Sequence, residues 1–488
     1  MKNMTMLIDY YEFTMGQTYF DKGEANKKAY FDVFFRKNPF KGGYTISGGL
    51  DKIIDYIKNF KFTDEDIEYL RQKGNFSEEY LKYLKNIRFT GDIYAVPDGT
   101  VVFPNEPVIT VRANIIEAQL IETALLLYFN SASLYTTASK RITQAAQNRP
   151  VMEFGARRGR GDEATIEASK YAYIGGCVGT SNTLSALINN IPVMGTMAHS
   201  MICDSSSEYQ AFLDYAKSNP NNCVFLVDTY NTLKSGIPNA IKVANDYLKP
   251  NNIEFKGIRI DSGDLAYLSK EARKMLDQAG YTNTQICLSN GLDEYTIKSL
   301  IDQGSCVDSF GVGDNIAATN DRVGGVYKLV GVEEEGIIKP RIKLSDTKEK
   351  TINPHYKKVY RFYDKETGYA LGDVLAVYDE IIPSEKYVLI DPNDEFKTVT
   401  ISNYNIRQLQ VPIFINGNLV YQVPTIDERR RYCEEEFKTI YPEIKRSLNP
   451  HEYYVDLSSK LLELKKELIL NNRGTVNNKT RKRVKGHA

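Results

Sequence analysis

A repeated rhythm between residues 150 and 330 constrains the fold of this chain more than any other feature. Short β-like apolar runs close on a glycine or a polar residue, and a segment with helical spacing usually follows each run. Spacings of 21, 23, 29, 33, 29 and 23 residues separate the seven run ends, which fall near Gly155, Gly176, His199, Asp228, Asp261, Asn290 and Gly313. This rhythm is typical of a βα barrel or a doubly wound parallel sheet. In either fold the functional residues lie at the carboxyl ends of the strands, so we expect the residues at these run ends to face one common cleft.

One unit of this rhythm is especially clear. The run "GIRIDSGD" (257–264) predicts a strand, and Ser262 or Asp264 can cap the helix that follows it. Gly280 can terminate that helix. Because strand side chains alternate between faces, Arg259 and Asp261 are expected on the same side of the strand.

The flanking sequence predicts further domains. Period-two alternation from 27 to 112 indicates a sheet, and apolar spacing from about 116 to 147 indicates a long helix. β-like sequence returns after 330, where it either rejoins the first sheet or forms its own. The predicted division is a sheet-rich domain over 1–118, a βα barrel over 119–330, a sheet-rich segment over 331–424, helices over 425–471 and a basic disordered tail over 472–488.

Composition narrows the possible partners and the compartment. Sixty-two basic and 62 acidic residues cancel, so no overall field favours nucleic acid or an anionic membrane. Only "KTRKRVK" near the C-terminus is strongly basic, and we interpret it as a solvated end. The six cysteines are scattered without a C-x-x-C pair, which indicates reduced thiols in a cytoplasmic protein. No apolar run predicts a signal peptide or a membrane span.

Three stretches could bind an anion. "EFGARRGRGDEA" sets three arginines among glycines after a predicted strand, and guanidinium groups grip phosphate or carboxylate bidentately. "SNG" at 289–291 and "FGVGDN" at 310–315 are small-residue turns whose backbone N–H groups could bind phosphate oxygens. Each has an ordinary alternative, a solvated basic loop for the first and simple connectors for the other two. Their shared position at strand ends favours a phosphate site.

Two further groups have more than one interpretation. Arg259 and Asp261 could form a structural ion pair, with Asp264 only a helix cap. They could also bind a substrate carboxylate, sugar hydroxyls or Mg²⁺. His199 has no cysteine or second histidine nearby, which argues against zinc. A neutral imidazole is a competent nucleophile or proton carrier near pH 7, and spacing alone does not separate these roles from a structural one.

With these residues in view, the chain resembles the nicotinate phosphoribosyltransferases, type II phosphoribosyltransferases, from about residue 7 to 470. The resemblance rests on nine blocks in order: "DYYEFTMGQTYF", "FFRKNPFKGGYTISGGL", "EFGARRGRG", "GTMAHS", "LVDTYNTLKSGI", "GIRIDSGDL", "SNGLDEYTI", "FGVGD" with "GGVYKLV", and "NPHEYYVDLS". It implies an α/β fold, with an irregular βα barrel packed against a sheet-rich α+β domain from both chain ends, plus C-terminal helices. It also implies a homodimer.

The resemblance further implies a reaction. Nicotinate and phosphoribosyl pyrophosphate would give nicotinate mononucleotide and pyrophosphate in NAD salvage, coupled to ATP hydrolysis, with Mg²⁺ on the polyphosphates. The metal-binding residues stay unknown.

Site residues follow by resemblance alone. His199 matches the histidine that ATP phosphorylates, and Asp261 would face the ribose hydroxyls. The nicotinate-binding residues would be Tyr11 across the dimer interface, Thr196, Ser200, Arg259 and Arg157. The phosphoribosyl and phosphate site would comprise Arg158, Ser289, Asn290, Gly291, Gly311, Gly313 and Asp314.

Three alternatives are weighed against this interpretation. A nicotinamide phosphoribosyltransferase should lack a cation dedicated to a carboxylate, and Arg259 argues against it. A quinolinate enzyme would need several cations around two carboxylates and no phosphorylatable His199. A catalytically silent nucleotide-binding relative should have lost Tyr11, His199 or Arg259, whereas all three are present.

Overall fold

A computed structural model describes residues 3–344, 351–392, 394 and 396–484, with side chains described up to residue 472. The α-helices, in chain order, are α1 Tyr10–Asp21, α2 Leu50–Lys58, α3 Asp64–Gln72, α4 Glu78–Asn86, α5 Ile115–Leu120, α6 Glu122–Ala145, α7 Asp162–Ile174, α8 Thr183–Asn189, α9 His199–Asp204, α10 Glu208–Ser218, α11 Ile237–Val243, α12 Leu265–Gln278, α13 Glu294–Asp302, α14 Asp314–Ala317, α15 Ile426–Lys438 and α16 Ser459–Val484. No helix among the described residues is both long and apolar enough to cross a membrane.

The strands complete the mixed α/β architecture. In chain order they are β1 Lys28–Phe35, β2 Thr45–Ile46, β3 Asp92–Ala95, β4 Val101–Val102, β5 Ile109–Asn114, β6 Val151–Glu153, β7 Gly179–Thr180, β8 Val224–Leu226, β9 Gly257–Ile260, β10 Gln285–Ser289, β11 Ser309–Val312, β12 Gly325–Glu334, β13 Ile337–Pro340, β14 Lys357–Asp364, β15 Ala370–Val377, β16 Lys386–Ile390, β17 Thr398–Ser402, β18 Tyr404–Gln408, β19 Val411–Ile415, β20 Asn418–Leu419 and β21 Val455–Leu457.

The chain divides into two compact units. The first unit comprises residues 1–134 and 322–488, and the second comprises 135–321. These limits differ from the boundaries at 118 and 330 that the sequence suggests, and the first of them falls within the long α6 helix.

The first unit contains a seven-stranded antiparallel sheet in the order β13-β12-β1-β5-β3-β19-β20. Both faces of β1 are covered, which explains its nearly continuous apolar sequence. Phe31, Val33 and Phe35 enter one core cluster, whereas Tyr30 and Phe34 enter another. A separate sheet follows the order β18-β14-β15-β21. The sequence left open whether the segment after residue 330 rejoins the first sheet or forms its own. In the structure it does both, because some of its strands extend the first sheet and others form a separate one.

The second unit contains a six-stranded parallel sheet in the order β7-β6-β11-β10-β9-β8. Its α12 helix shows why the local sequence folds this way. Asp264 accepts a hydrogen bond from the backbone N–H of Tyr267 at 3.0 Å, and Gly280 adopts a φ of +87° just beyond the helix. Buried residues along one face of α12 pack on the core of this unit. The predicted strand, cap and stop are all present.

The structure corrects three predictions. The apolar run whose end is predicted near His199, "IPVMGTM" (191–197), is not a regular strand: it makes a single bridge, from Val193 to Thr180, because Pro192 has no N–H to donate to a ladder. Gly176 follows helix α7 instead of a strand, and β7 begins at Gly179. The predicted disordered tail is helical over 472–484, since α16 continues through it, and residues 485–488 lie outside the described residues.

Candidate active site

Arg259 lies at the centre of a hydrogen-bonded cluster at the carboxyl end of the parallel sheet. Its Nε donates to Ser289 Oγ at 2.8 Å, and one terminal nitrogen lies 3.1 Å from Asp261 Oδ1. The other terminal nitrogen lies 3.5 Å from Thr196 Oγ1. Ser289 Oγ in turn donates to Asp261 Oδ1. Parallel pairing of β9 with β10 sets this arrangement, because it brings the ends of the two strands side by side.

An aromatic ring, that of Phe154, lies against the guanidinium group of Arg259. The central carbon of the Arg259 guanidinium lies 5.5 Å from the centroid of the Phe154 ring, a cation–π contact. Gly311 makes room for that ring, since a Cβ there would lie 2.6 Å from Phe154 ring atoms. The glycine that the sequence assigned to phosphate binding therefore has a packing reason as well.

Asp228 is a buried carboxylate that the sequence interpretation missed as a site residue. Its Oδ2 accepts hydrogen bonds from the backbone N–H of Asp261 at 2.9 Å and from Ser262 Oγ at 2.6 Å. Its Oδ1 is buried and has no hydrogen-bond partner among the described residues. The available signal was its position two residues after β8, which corresponds to the position of Asp261 after Arg259 on the neighbouring strand.

His199 begins the short α9 helix, and 43% of its side chain is exposed. Its Nδ1 lies 3.0 Å from Thr229 Oγ1. Its Nε2 lies 4.0 Å from Asp228 Oδ1 and 4.0 Å from Asp261 Oδ2. The ring is therefore oriented on one nitrogen, while the other faces two carboxylates and solvent.

The two predicted phosphate turns lie next to each other. Asn290 and Gly291 both have positive φ, +106° and +58°, and both are exposed after β10. Asn315 Nδ2 donates to the carbonyl oxygens of Gly291 and Leu292, at 3.2 and 2.9 Å. Gly313 precedes α14, so its turn is tied to the "SNG" turn through Asn315. Parallel strands β10 and β11 place both turns at one edge of the sheet.

The arginine loop faces the same turns. Arg158 Nε lies 3.4 Å from Asp314 Oδ1, and both side chains are more than half exposed. Arg160 donates to the carbonyl oxygen of Thr319 at 3.2 Å. Arg157 is exposed and has no hydrogen bond or ion pair to the described residues. Asp314, which lies in one of the predicted phosphate turns, is thus paired with Arg158. Arg157 is available to a ligand.

Glu153, also missed by the sequence interpretation, anchors the start of the arginine loop. It is fully buried at the end of β6. Its carboxylate accepts hydrogen bonds from Ser169 Oγ at 2.9 Å, from Thr180 Oγ1 at 2.6 Å and from the backbone N–H of Gly155. These hydrogen bonds hold the Glu153 side chain in one position, so it fixes the backbone from which the loop departs.

Ser200 and Tyr11 are also not members of the Arg259 cluster. Ser200 is exposed on α9. Tyr11 belongs to the first unit, on α1, where 46% of it is exposed. Burial, followed by the charge of Glu122, raises the pKa of the Tyr11 phenol, so the ring remains neutral. Burial likewise raises the pKa of the Cys287 thiol in β10, which excludes it as a thiolate nucleophile near neutral pH.

A metal ion at this site would need oxygen atoms of the substrate as well as protein side chains. No group of three His, Cys, Asp or Glu side chains among the described residues is placed to hold a metal ion. Mg²⁺ in phosphate chemistry is commonly bound by one or two carboxylates together with substrate oxygens. Asp228 Oδ1 and the carboxylate of Asp261 fit that requirement.

The fold and the site define a class of protein: an α/β protein that gathers arginines, carboxylates and a histidine at the carboxyl ends of parallel strands. Three family models match the chain. They are the nicotinate phosphoribosyltransferase N-terminal domain over residues 6–130, the family domain over 150–375 and the C-terminal domain over 356–465.

Known proteins agree with this assignment. Nicotinate phosphoribosyltransferase of Bacillus subtilis is 42% identical over 459 residues, which cover 93% of each chain. The mouse protein of the same name is 29% identical over 94% of this chain and 95% of its own. The crystal structure of human nicotinic acid phosphoribosyltransferase superimposes with a TM-score of 0.82 at 27% identity, covering 94% of this chain and 99% of the human one. The chain belongs to the nicotinate phosphoribosyltransferase family.

Proposed function

We propose that the protein transfers phosphoribosyl from phosphoribosyl pyrophosphate to nicotinate in NAD salvage. The products are nicotinate mononucleotide and pyrophosphate. The observation that carries this proposal is the Arg259 cluster, in which Thr196, Asp261 and Ser289 orient a guanidinium group over Phe154. A fixed guanidinium group matches the planar carboxylate that distinguishes nicotinate from nicotinamide.

The transfer itself needs positioning more than acid–base chemistry. The ring nitrogen of nicotinate has a lone pair that forms the new bond to the ribose C1 atom, while the bond from C1 to pyrophosphate breaks. Asp261 would stabilise the ribose hydroxyls and the positive charge that grows on the sugar. Backbone N–H groups around Asn290, Gly291 and Gly313 would bind the 5′-phosphate. Arg157 and Arg158 would bind the phosphates of the same substrate.

Asp228 and Asp261 would hold Mg²⁺ together with the substrate phosphates, and the bound ion would neutralise charge on the leaving pyrophosphate.

ATP coupling is assigned to His199. When Nδ1–H donates to Thr229 Oγ1, Nε2 holds the lone pair and is exposed enough to reach a nucleotide. Nε2 attacks the γ-phosphorus of ATP, the bond to the ADP oxygen breaks, and water later releases the phosphoryl group as inorganic phosphate. Hydrolysis of ATP then favours formation of the mononucleotide.

The finer architecture also belongs to this proposal. The parallel sheet would close into an irregular barrel through residues 193–196, because Val193 bridges Thr180 on one side and Asn222 Nδ2 donates to Gly195 O at 2.9 Å on the other.

A homodimer with Tyr11 stacked on the nicotinate of its partner is proposed by family analogy. Four apolar side chains on and after α8 in the second unit are exposed, and a second protein chain could cover them: Leu184, Leu187, Ile188 and Val193. Free cysteines throughout the described residues fit a cytoplasmic location.

The test compares wild type, Arg259→Gln and His199→Asn with Mg-ATP, phosphoribosyl pyrophosphate and either nicotinate or nicotinamide. Mononucleotide, pyrophosphate and ADP are quantified separately. Arg259→Gln should raise the KM for nicotinate by about 10–100-fold, the range for a lost charged hydrogen-bond pair. His199→Asn should abolish ADP release and acid-labile ³²P incorporation from γ-labelled ATP.

Arg273→Gln is the matched control, because Arg273 lies on α12 and pairs with Asp277. It should leave all constants unchanged. Equal turnover of nicotinamide would favour the nicotinamide alternative, and no turnover with either ring would favour a silent relative. Normal ADP release from His199→Asn would remove the phosphohistidine step while leaving the transfer assignment intact.

A further inference from the structure

A cavity of about 700 Å³ lies entirely within the first unit. This volume is in the range of small-molecule binding sites, roughly 300–1,000 Å³. Its walls come from the end of β1, the turn around Pro104, the segment 351–353, the segment 450–457 and α16. None of the residues that line it belongs to the strand-end cluster of the second unit.

The cavity is built by close backbone packing. A Cβ on Gly43 would lie 2.2 Å from the carbonyl oxygen of Ile444 and 2.9 Å from Pro450 Cβ, so only glycine allows this wall to close. Apolar and aromatic residues form a large part of the lining: Phe34, Phe103, Pro104, Pro107, Pro450, Tyr453 and Tyr454. Phe103 and Tyr453 stack with ring centroids 3.7 Å apart, which makes this part of the wall rigid.

Cations outnumber carboxylates around the cavity. Its cationic side chains are Arg36, Lys37, Lys41, Lys357, Lys397 and Lys465, and its carboxylates are Asp32, Asp391, Glu452 and Asp456. Two of the carboxylates are already paired. Asp32 accepts from the buried Lys357, and Asp391 lies 3.3 Å from Lys397. The remaining positive charge is therefore only partly compensated.

Lys465 is the most unusual member of this group. Its Nζ donates to the neutral Asn353 Oδ1 at 2.8 Å, and no described carboxylate forms an ion pair with it. Burial, followed by the charge of Lys357, lowers the pKa of the Lys465 ammonium to about 8. Lys465 is half-buried, and an ammonium group that is partly shielded from water without a counter-charge is destabilised. Lys465 thus has a strong preference for an anion.

An independent observation points the same way. Arg36 also lines the cavity, and its Nε is buried without a hydrogen-bond partner. A buried charged donor without a partner is destabilising, and an anion that accepts from it removes that penalty. Two distant segments, the residue that follows β1 and helix α16, therefore each bring an incompletely satisfied cationic group to the same cavity.

We propose that this cavity is a ligand site of its own, which takes a phosphate-bearing molecule of mononucleotide size. The phosphate would bind between Lys465 and Arg36. The apolar and aromatic walls would contact the flat base. The proposal goes beyond the transferase activity and does not depend on it, because binding is measured without turnover.

The experiment is calorimetric titration of the full-length protein with AMP, with inorganic phosphate and with adenosine. Wild type is compared with Lys465→Met and with Lys460→Met. Lys460 lies on the same helix but pairs with Asp379 and does not line the cavity. AMP should bind wild type and Lys460→Met alike, and Lys465→Met should weaken it by about tenfold or more, as expected for one lost charged contact. Adenosine should bind much more weakly than AMP.

Three results would overturn the proposal. One is no AMP binding to wild type, and another is equal AMP affinity in Lys465→Met and wild type. The third is a KM for phosphoribosyl pyrophosphate that rises in Lys465→Met as much as AMP binding weakens, because the cavity would then be part of the substrate site. Misfolding is checked by thermal unfolding of Lys465→Met, which should match or exceed wild type because a half-buried charge without a counter-charge is removed.

Discussion

Replacing Ser289 by alanine tests the Arg259 cluster with the smallest possible change. The substitution removes one hydroxyl that accepts from Arg259 Nε at 2.8 Å and donates to Asp261 Oδ1. The direct ion pair between Arg259 and Asp261, at 3.1 Å, remains. Hydrogen bonds to charged groups contribute about 1.5–3 kcal/mol. Since about 1.4 kcal/mol is a tenfold change, kcat/KM for nicotinate should fall by roughly 10–150-fold.

The assay is mononucleotide formation at saturating phosphoribosyl pyrophosphate and Mg-ATP over a range of nicotinate concentrations. Most of the loss should appear in the KM for nicotinate, because Arg259 is proposed to bind the carboxylate before the reaction. Ser269→Ala is the control: Ser269 is also fully buried, but its hydroxyl donates only to Ala266 O within α12. Urea unfolding of both variants separates folding from catalysis. A kcat/KM within about twofold of wild type for Ser289→Ala would refute the reasoning.

Three other changes have defined outcomes. Gly311→Ala should displace Phe154 and raise the KM for nicotinate by about tenfold in the same assay, because its Cβ would overlap the ring; unchanged kinetics would contradict the packing role. Arg361→Met should lower the free energy of unfolding in urea by about 3–5 kcal/mol, since it leaves the buried Asp373 without its bidentate partner; a loss below 1 kcal/mol, roughly that of an exposed pair, would disprove it. Burial raises the pKa of Glu12 to about 8 from 4.5, so the folded state holds this proton more tightly and wild-type stability declines from pH 4.5 to 8. Glu12→Gln should therefore gain stability over wild type across that window by up to about 1.4 kcal/mol per pH unit, and a pH-independent difference in unfolding free energy would count against the shift.

The strand ends could be predicted because each depends on local sequence. The runs that end near Gly155, Asp228, Asp261, Asn290 and Gly313 are observed as strands that stop where the sequence indicates. A short apolar run followed by a turn residue is sufficient information for each of them. Because the strands pair in parallel, their carboxyl ends lie at the same edge of the sheet.

The failures have equally local causes. The run "IPVMGTM" is apolar enough for a strand, but Pro192 cannot donate to a ladder and only the Val193 bridge forms. Gly176 was assigned to a strand end, although "ASKYAYIGG" has helical spacing and ends α7. Apolar content decides that a segment is buried, whereas hydrogen-bonding capacity and spacing decide which element it forms.

Asp228 and Glu153 show why the rest of the site could not be predicted. The partners of Asp228 are the backbone N–H of Asp261 and the hydroxyl of Ser262, 33 and 34 residues away in sequence. Those of Glu153 include Thr180 Oγ1 from the next strand. A buried carboxylate is stable only when such donors surround it, and no spacing rule within one element can show them. Each carboxylate holds a neighbouring strand end in place, so the residues that make the site rigid are recognisable only after the sheet has brought its strands together.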